Sequence, residues 1–306
     1  MSIKVFGHKS PDTDSTGSPI AWAWYLSEVK GTPAKACLLG EPNTEALFVL
    51  KHWDLAKPEI IGDVTADDKV VVVDTNNPAE LPASINEAKL QAIIDHHMLV
   101  GGLKTKSPID ITIRPLACTA TIMHDLMGAD LARAPRGVKG AMLSCIISDT
   151  LEFRSPTTTA HDKAVAEKLA ADLGVSIAEL ATKMFEAKSD VSAFSDAELL
   201  RMDSKEYNVA GKELRVSVLE TTAPKVVLDR KDSLMESMVG VAKEDGADQV
   251  LLFVVDIIKE EATLLVPNDL VRQMAEASFG VKVSGDTVVL PGIMSRKKQI
   301  IPALKL

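Results

Sequence analysis

The stretch Val70-Val71-Val72-Val73-Asp74-Thr75-Asn76 decides the fold. Four successive valines leave no polar alternation, which is the pattern of a strand covered on both faces, and such strands belong inside parallel sheets. The run stops abruptly on a carboxylate. Upstream, short apolar runs at Ile3–Phe6 and residues 36–39 alternate with helical patterns over residues 18–29 and Thr44–His52. Downstream, residues 92–94 repeat the apolar-strand signature. Strands and helices in this rhythm predict βαβ units around one parallel sheet, with residues 70–73 central to it.

From residue 119 to residue 188 the pattern turns helical, with Ala- and Leu-rich stretches over 138–147, 160–173 and 177–188. Pro135 and Gly137 break the chain before the first of these. The helices flank the parallel sheet and close a first domain, residues 1–188, expected to carry the metal-binding catalytic groups. The small, polar segment 189–193 is the predicted linker. Residues 194–306 then read as a smaller α/β domain with a mixed sheet and helices near 233–243 and 269–278. Residues 209–212 resemble a hairpin turn, as does Gly285-Asp286 between strand-like 281–283 and 287–290.

Bulk properties agree with this division. A chain of 306 residues sits where single cores give way to two domains, and 46% hydrophobic with 25% charged residues is an ordinary globular composition. With 34 Lys+Arg against 43 Asp+Glu the net charge is −9, so the basic footprint of a nucleic-acid binder is missing and no nucleic-acid partner is expected. Cys37, Cys118 and Cys145 are odd in number and lack metal-site spacing, which predicts reduced thiols. Neither an apolar leader near the N-terminus nor a run of about 18 apolar residues is present, so a cytoplasmic protein without a membrane partner is expected.

Four segments carry candidate chemistry in the first domain. Gly7-His8-Lys9-Ser10-Pro11-Asp12-Thr13-Asp14-Ser15 follows the first strand, and a loop at the carboxyl edge of a parallel sheet is where ligands of such folds bind. Imidazole and carboxylates at this density suit divalent metals, although Asp14 could equally cap the following helix. Asp74 ends the valine strand and could serve as a cap or an Asx turn. Ala92-Ile93-Ile94-Asp95-His96-His97 ends a second strand in an acid and two histidines. Adjacent histidines point in different directions, so one can ligate a metal while the other faces substrate, with Asp95 accepting from a ring nitrogen. Ser148-Asp149-Thr150 ends a long apolar helical run. Near the C-terminus, Ser295-Arg296-Lys297-Lys298 could be a solvated basic turn or an anion clamp, with Arg296 offering a planar fork and Lys297 a point charge. His52, His124 and His161 sit in helical patterns and receive no role.

In this order, HKSPDTDS, VVVDTN, DHH, SDT and SRKKQ resemble the DHH phosphoesterase superfamily, and within it the family II, manganese-type inorganic pyrophosphatases. The resemblance runs from Gly7 to Gln299, and the chain lacks the glycine-rich GGGH-like run of the superfamily's nucleic-acid-cleaving members. It implies that His8 and Asp12 hold one Mn2+, that Asp14, His96 and Asp149 hold a second, and that Asp74 bridges them; Co2+ is an alternative. It further implies that His97, Lys205, Arg296 and Lys297 bind pyrophosphate arriving with Mg2+, and that the chain forms a homodimer through an edge strand of the first domain. Inserted regulatory nucleotide-binding modules, known in some members, have no room here.

Two metals about 3.5–4 Å apart can share one water and present it as hydroxide in line with a phosphorus. Asp12, Asp14, Asp74 and Asp149 would nearly neutralise two divalent cations, so the anionic substrate needs the Lys and Arg of the second domain. Two rival expectations stand beside this one. The same cage could serve a short-chain polyphosphatase or nucleotide phosphodiesterase, or a metal-stabilised interaction protein without catalysis.

Overall fold

The structure is a computed structural model that describes residues 2–306, apart from the side chains of Lys297 and Lys298. It divides into two compact units, Met1–Lys188 and Ser189–Leu306. In the first, β1 (Ile3–Phe6) leads into α1 (Thr13–Trp24), followed by β2 (Ala34–Leu38), α2 (Thr44–His52), β3 (Glu59–Ile60), β4 (Lys69–Val73), β5 (Lys89–Asp95) and β6 (Asp110–Ile113). Four helices follow: α3 (Thr119–Met127), α4 (Arg136–Thr150), α5 (Ala160–Leu173) and α6 (Ile177–Lys188). All six strands are parallel, in the order β3-β2-β1-β4-β5-β6.

The valine run lies at the centre of that sheet. Val71 and Val73 face a large core with Met142, Ile146 and Ile147 of α4, whereas Val70 and Val72 face a smaller one with Phe6, Leu81 and Ile85. Burial on both faces is what removed polar alternation from the sequence. The expected helix over residues 18–29 starts earlier, at Thr13, and passes into a π-helical turn at Tyr25–Val29. Periodicity alone does not separate these windings, because both keep the same apolar side inward.

The second unit begins at once with residues of the expected linker: Val191 is buried against Leu199, Leu200 and Leu234. It contains α7 (Asp196–Met202), β7 (Ser204–Val209), β8 (Lys212–Thr221), α8 (Pro224–Leu228), α9 (Lys231–Asp245), β9 (Gln249–Asp256), β10 (Glu261–Leu265), α10 (Asp269–Phe279) and β11 (Thr287–Pro291). The sheet order is β11-β10-β9-β8-β7, with β8 and β9 parallel and the other pairs antiparallel. Every residue of β9 is buried: Leu251, Phe253 and Val255 pack towards α10, and Val250, Leu252 and Val254 pack towards α9.

Ala210 and Gly211 close the β7–β8 hairpin with φ of 51° and 82°, the two-residue turn with both central residues left-handed. The second expected hairpin does not form. Residues 281–283 are not a strand, because their polar backbone is held by α10: Glu276 Oε1 accepts from Val283 N, and Arg272 Nη1 donates to Val283 O. β11 pairs with β10 instead.

Candidate metal centre

The strand order reverses between β1 and β4, which is where an open α/β sheet opens a crevice at its carboxyl edge. The loops after β1 and β4 both start there, and the neighbouring β5 ends on Asp95. Gly7 makes the first turn possible at close quarters, since a Cβ on it would collide with the Ser15 hydroxyl.

Asp12, rather than Asp14, caps α1: its Oδ1 accepts from Ser15 N at 2.9 Å, which leaves Oδ2 at 3.7 Å from His8 Nε2. One residue into the helix, Asp14 turns inward, is fully buried, and accepts from Thr119 N at 2.8 Å and from Ser18 Oγ. Asp74 is also buried and adopts a left-handed backbone with φ of 58°, so its carboxylate leaves the strand direction and projects into the crevice. Its Oδ2 accepts from Ser15 Oγ at 2.6 Å and lies 3.5 Å from His8 Nε2, while its Oδ1 lies 3.3 Å from His96 Nε2.

The two adjacent histidines part company. His96 sets Nδ1 at 3.2 Å from the Leu116 carbonyl; a carbonyl only accepts, so Nδ1 donates there and Nε2 is the nitrogen turned towards Asp74. His97 is more open, with a half-exposed ring, and its Nδ1 meets Asp95 Oδ1 at 2.9 Å. Asp95 thus orients His97 and not His96. Its Oδ1 also accepts both histidine backbone N–H groups, and its Oδ2 accepts from Asn76 Nδ2 at 2.6 Å.

Asp149 enters from the last turn of α4, next to the Cys118 thiol, and its Oδ2 is buried without a hydrogen-bond partner among the described residues. Donor atoms converge in three groups, each within 4.8 Å: His8, Asp12 and Asp74; Asp14, His96 and Asp149; Asp74, His96 and His97. Residues from four distant segments are therefore brought together, with Asp74 shared between groups.

Electrostatics bear the mark of crowded acids. Burial, then the neighbouring charges of Asp14 and Asp12, push the Asp74 carboxyl well up, and burial with Asp14 and Asp74 does the same to Asp149. Burial would lower the His8 imidazole, yet Asp12, Asp74 and Glu80 hold it above its ordinary value. Burial would raise Asp12, but His8, the Ser15 amide and Lys188 hold it down. The Cys118 and Cys145 thiols are pushed well up, by burial first and then by Asp14 and Asp149, so they stay protonated and are poor ligands. An oxygen and imidazole donor set with uncompensated acidity and an orphaned buried oxygen fits divalent cations such as Mn2+ or Co2+.

Of the expected substrate cations, Lys205 lies exposed on β7 in the second unit. Arg296 donates through Nη1 to Asp203 O and through Nη2 to Asp203 Oδ1, both at 2.7 Å, which draws the SRKK segment against the residues leading into Lys205. The Lys297 side chain lies outside the described residues. Sequence reasoning missed Ser15, Thr119 and Asn76. Ser15 ends the first motif and could have been included; the Thr119 bond to Asp14 comes from a backbone N–H that every residue but proline supplies, so it leaves no signal.

Comparisons with known proteins agree with this geometry. The DHH family N-terminal domain matches residues 2–149 and the DHHA2 domain matches residues 182–306. A manganese-dependent inorganic pyrophosphatase of Methanocaldococcus jannaschii is 36% identical, over 98% of this chain and 97% of its own. A Deinococcus radiodurans relative assigned the same activity is 38% identical, over 99% of this chain and 98% of its own. The crystal structure of a Methanococcus jannaschii protein described as a family II inorganic pyrophosphatase superposes with a TM-score of 0.60 at 35% identity, covering 98% of each chain. The chain belongs to the family II, manganese-dependent inorganic pyrophosphatases of the DHH superfamily.

Proposed function

We propose that the protein hydrolyses inorganic pyrophosphate to two phosphates with a pair of Mn2+ ions held by His8, Asp12, Asp14, Asp74, His96 and Asp149. The observation that carries the reading is the convergence of two donor groups, His8-Asp12-Asp74 and Asp14-His96-Asp149, on one crevice with Asp74 close to both histidines. When bound, such ions supply Lewis-acid charge relief and lower the pKa of water. Water adds to one phosphorus, the bridging P–O bond breaks, and the bridging oxygen leaves on the second phosphate.

The chain's own groups do the rest. Ser15 and Thr119 hold the carboxylates of Asp74 and Asp14 in place, and the Leu116 carbonyl fixes the His96 tautomer. Asp95 occupies His97 Nδ1 and leaves Nε2 to donate to a phosphate oxygen. Lys205, Arg296 and Lys297 supply the cations that a highly charged substrate and its Mg2+ require. A homodimer follows the same family reading; it is supported by β6, an edge strand that exposes Ile111. A cytoplasmic site of action is part of the same proposal; among the described residues no helix is long and apolar enough to cross a membrane.

Parallel assays with Mn2+ on pyrophosphate, tripolyphosphate and a dinucleotide test the reading. Pyrophosphate turnover at least tenfold above the other two is expected. Preferential cleavage of tripolyphosphate or the dinucleotide, or inactivity with Mn2+ bound, would replace it with one of its rivals.

A further inference from the structure

Glu45 is a fully buried carboxylate that no part of the reaction uses. It lies in the first turn of α2, whose N-cap Asn43 accepts from Ala46 N at 2.8 Å, and a helix N-terminus favours negative charge. Its Oε2 accepts from Thr13 Oγ1 at 2.8 Å and from Ser148 Oγ at 2.6 Å, and lies 3.4 Å from the Lys188 ammonium. Its Oε1 has no partner among the described residues. Burying a carboxylate is costly, and an apolar residue would pack four elements together without that cost.

What the carboxylate does that an apolar residue cannot is join particular atoms. Thr13 stands between Asp12 and Asp14 at the start of α1, and Ser148 directly precedes Asp149 in the last turn of α4. One oxygen of Glu45 therefore ties both acid-bearing segments to a common point. Lys188, the last residue of α6, supplies the counter-charge to Glu45 and also helps hold Asp12 ionised.

We propose that Glu45 is a positioning residue that fixes the spacing between the Asp12–Asp14 loop and the Asp149 end of α4, and thereby sets the affinity for divalent cations. The inference rests on the two-ion reading above. Removing partners that orient metal ligands commonly costs about 10–100-fold in metal affinity, and Glu45 acts one bond further back, so the lower end is expected.

Equilibrium dialysis with Mn2+ on the full chain tests this, with circular dichroism as a check on folding. Glu45→Ala should weaken Mn2+ binding about tenfold, while Glu45→Gln, which keeps an oxygen able to accept from both hydroxyls, should recover most of that loss. The pair Thr13→Val with Ser148→Ala should reproduce the loss with Glu45 intact, and it carries the test where Glu45→Ala does not fold. Wild-type Mn2+ affinity in that double variant or in a folded Glu45→Ala overturns the inference, as does Glu45→Gln binding no better than Glu45→Ala. Asp74→Ala in the same dialysis separates the two levels. If it loses Mn2+ while Glu45→Ala does not, only the positioning role falls; if it keeps both ions, the two-ion reading falls as well.

Discussion

The two units hold their candidate site groups in different ways. In the first, Asp14, Asp74 and Asp95 are buried and each is tied by hydrogen bonds to segments far away in sequence. In the second, Lys205 is exposed on an edge strand, and Arg296 is held by Asp203 through two hydrogen bonds. Buried acids are positioned before any ligand arrives, and their crowding favours cations that would relieve it. An exposed cation such as Lys205 is solvated and screened until a substrate recruits it. Damage to the first should therefore appear in metal binding and turnover, and damage to the second in the substrate requirement.

The sharpest way to break this contrast is to remove the acids. Asp74→Ala and Asp149→Ala should each lower Mn2+-dependent pyrophosphate hydrolysis by about 10³-fold or more, the scale of losing a preorganised electrostatic contact in a catalytic site. The metal-free variants should remain folded, with melting temperatures at or above wild type, because a buried carboxylate beside like charges has been removed. Full activity in either variant would remove that residue from the cage.

The next effect is smaller and of another kind. Arg296→Ala and Lys297→Ala should raise KM for pyrophosphate about tenfold or more, from charge-assisted bonds worth about 1.5–3 kcal/mol each. Dialysis should find Mn2+ affinity unchanged in both. Wild-type KM in both variants would discard the clamp, and weakened Mn2+ binding would erase the division of labour between the units.

How much of this was legible in the sequence depends on whether burial or partnership decides a residue's place. The valine strand was legible because burial on both faces leaves a run with no polar interruption. The acids proposed as metal ligands were legible as strand-end or helix-end acids, but only as a series, since each has an ordinary capping use; Asp12 indeed takes the cap that was open to Asp14. Glu45 was hidden: an acid in the first turn of a helix is usually solvated, and nothing local reveals that Thr13 and Ser148 meet it from 32 and 103 residues away. The false hairpin at Gly285-Asp286 had the right turn residues, but Arg272 and Glu276 already hold the backbone of Val283. Local pattern cannot foresee that competition.

The smallest prediction uses a feature both units share. Asp74 and Ala210 are each non-glycine residues in the left-handed region, with φ of 58° and 51°.

 A side chain in this conformation costs roughly 1–2 kcal/mol for most L-residues, less for Asp, which bonds locally. At Asp74 the conformation aims a carboxylate into the crevice, so the residue cannot be exchanged for one that fits the backbone better. At Ala210 it only closes a two-residue turn on an exposed hairpin, and the methyl group does nothing that the turn requires. Ala210→Gly should therefore stabilise the second unit by about 0.5–1 kcal/mol, the relief of strain less the greater backbone entropy of glycine in the unfolded chain. Urea unfolding should move its midpoint upward without a change in slope, and Mn2+ binding should stay as it was. A midpoint that falls would mean that the turn is held by more than its backbone geometry, whereas a gain here beside a loss of hydrolysis in Asp74→Gly would separate a left-handed residue kept for its side chain from one tolerated despite it.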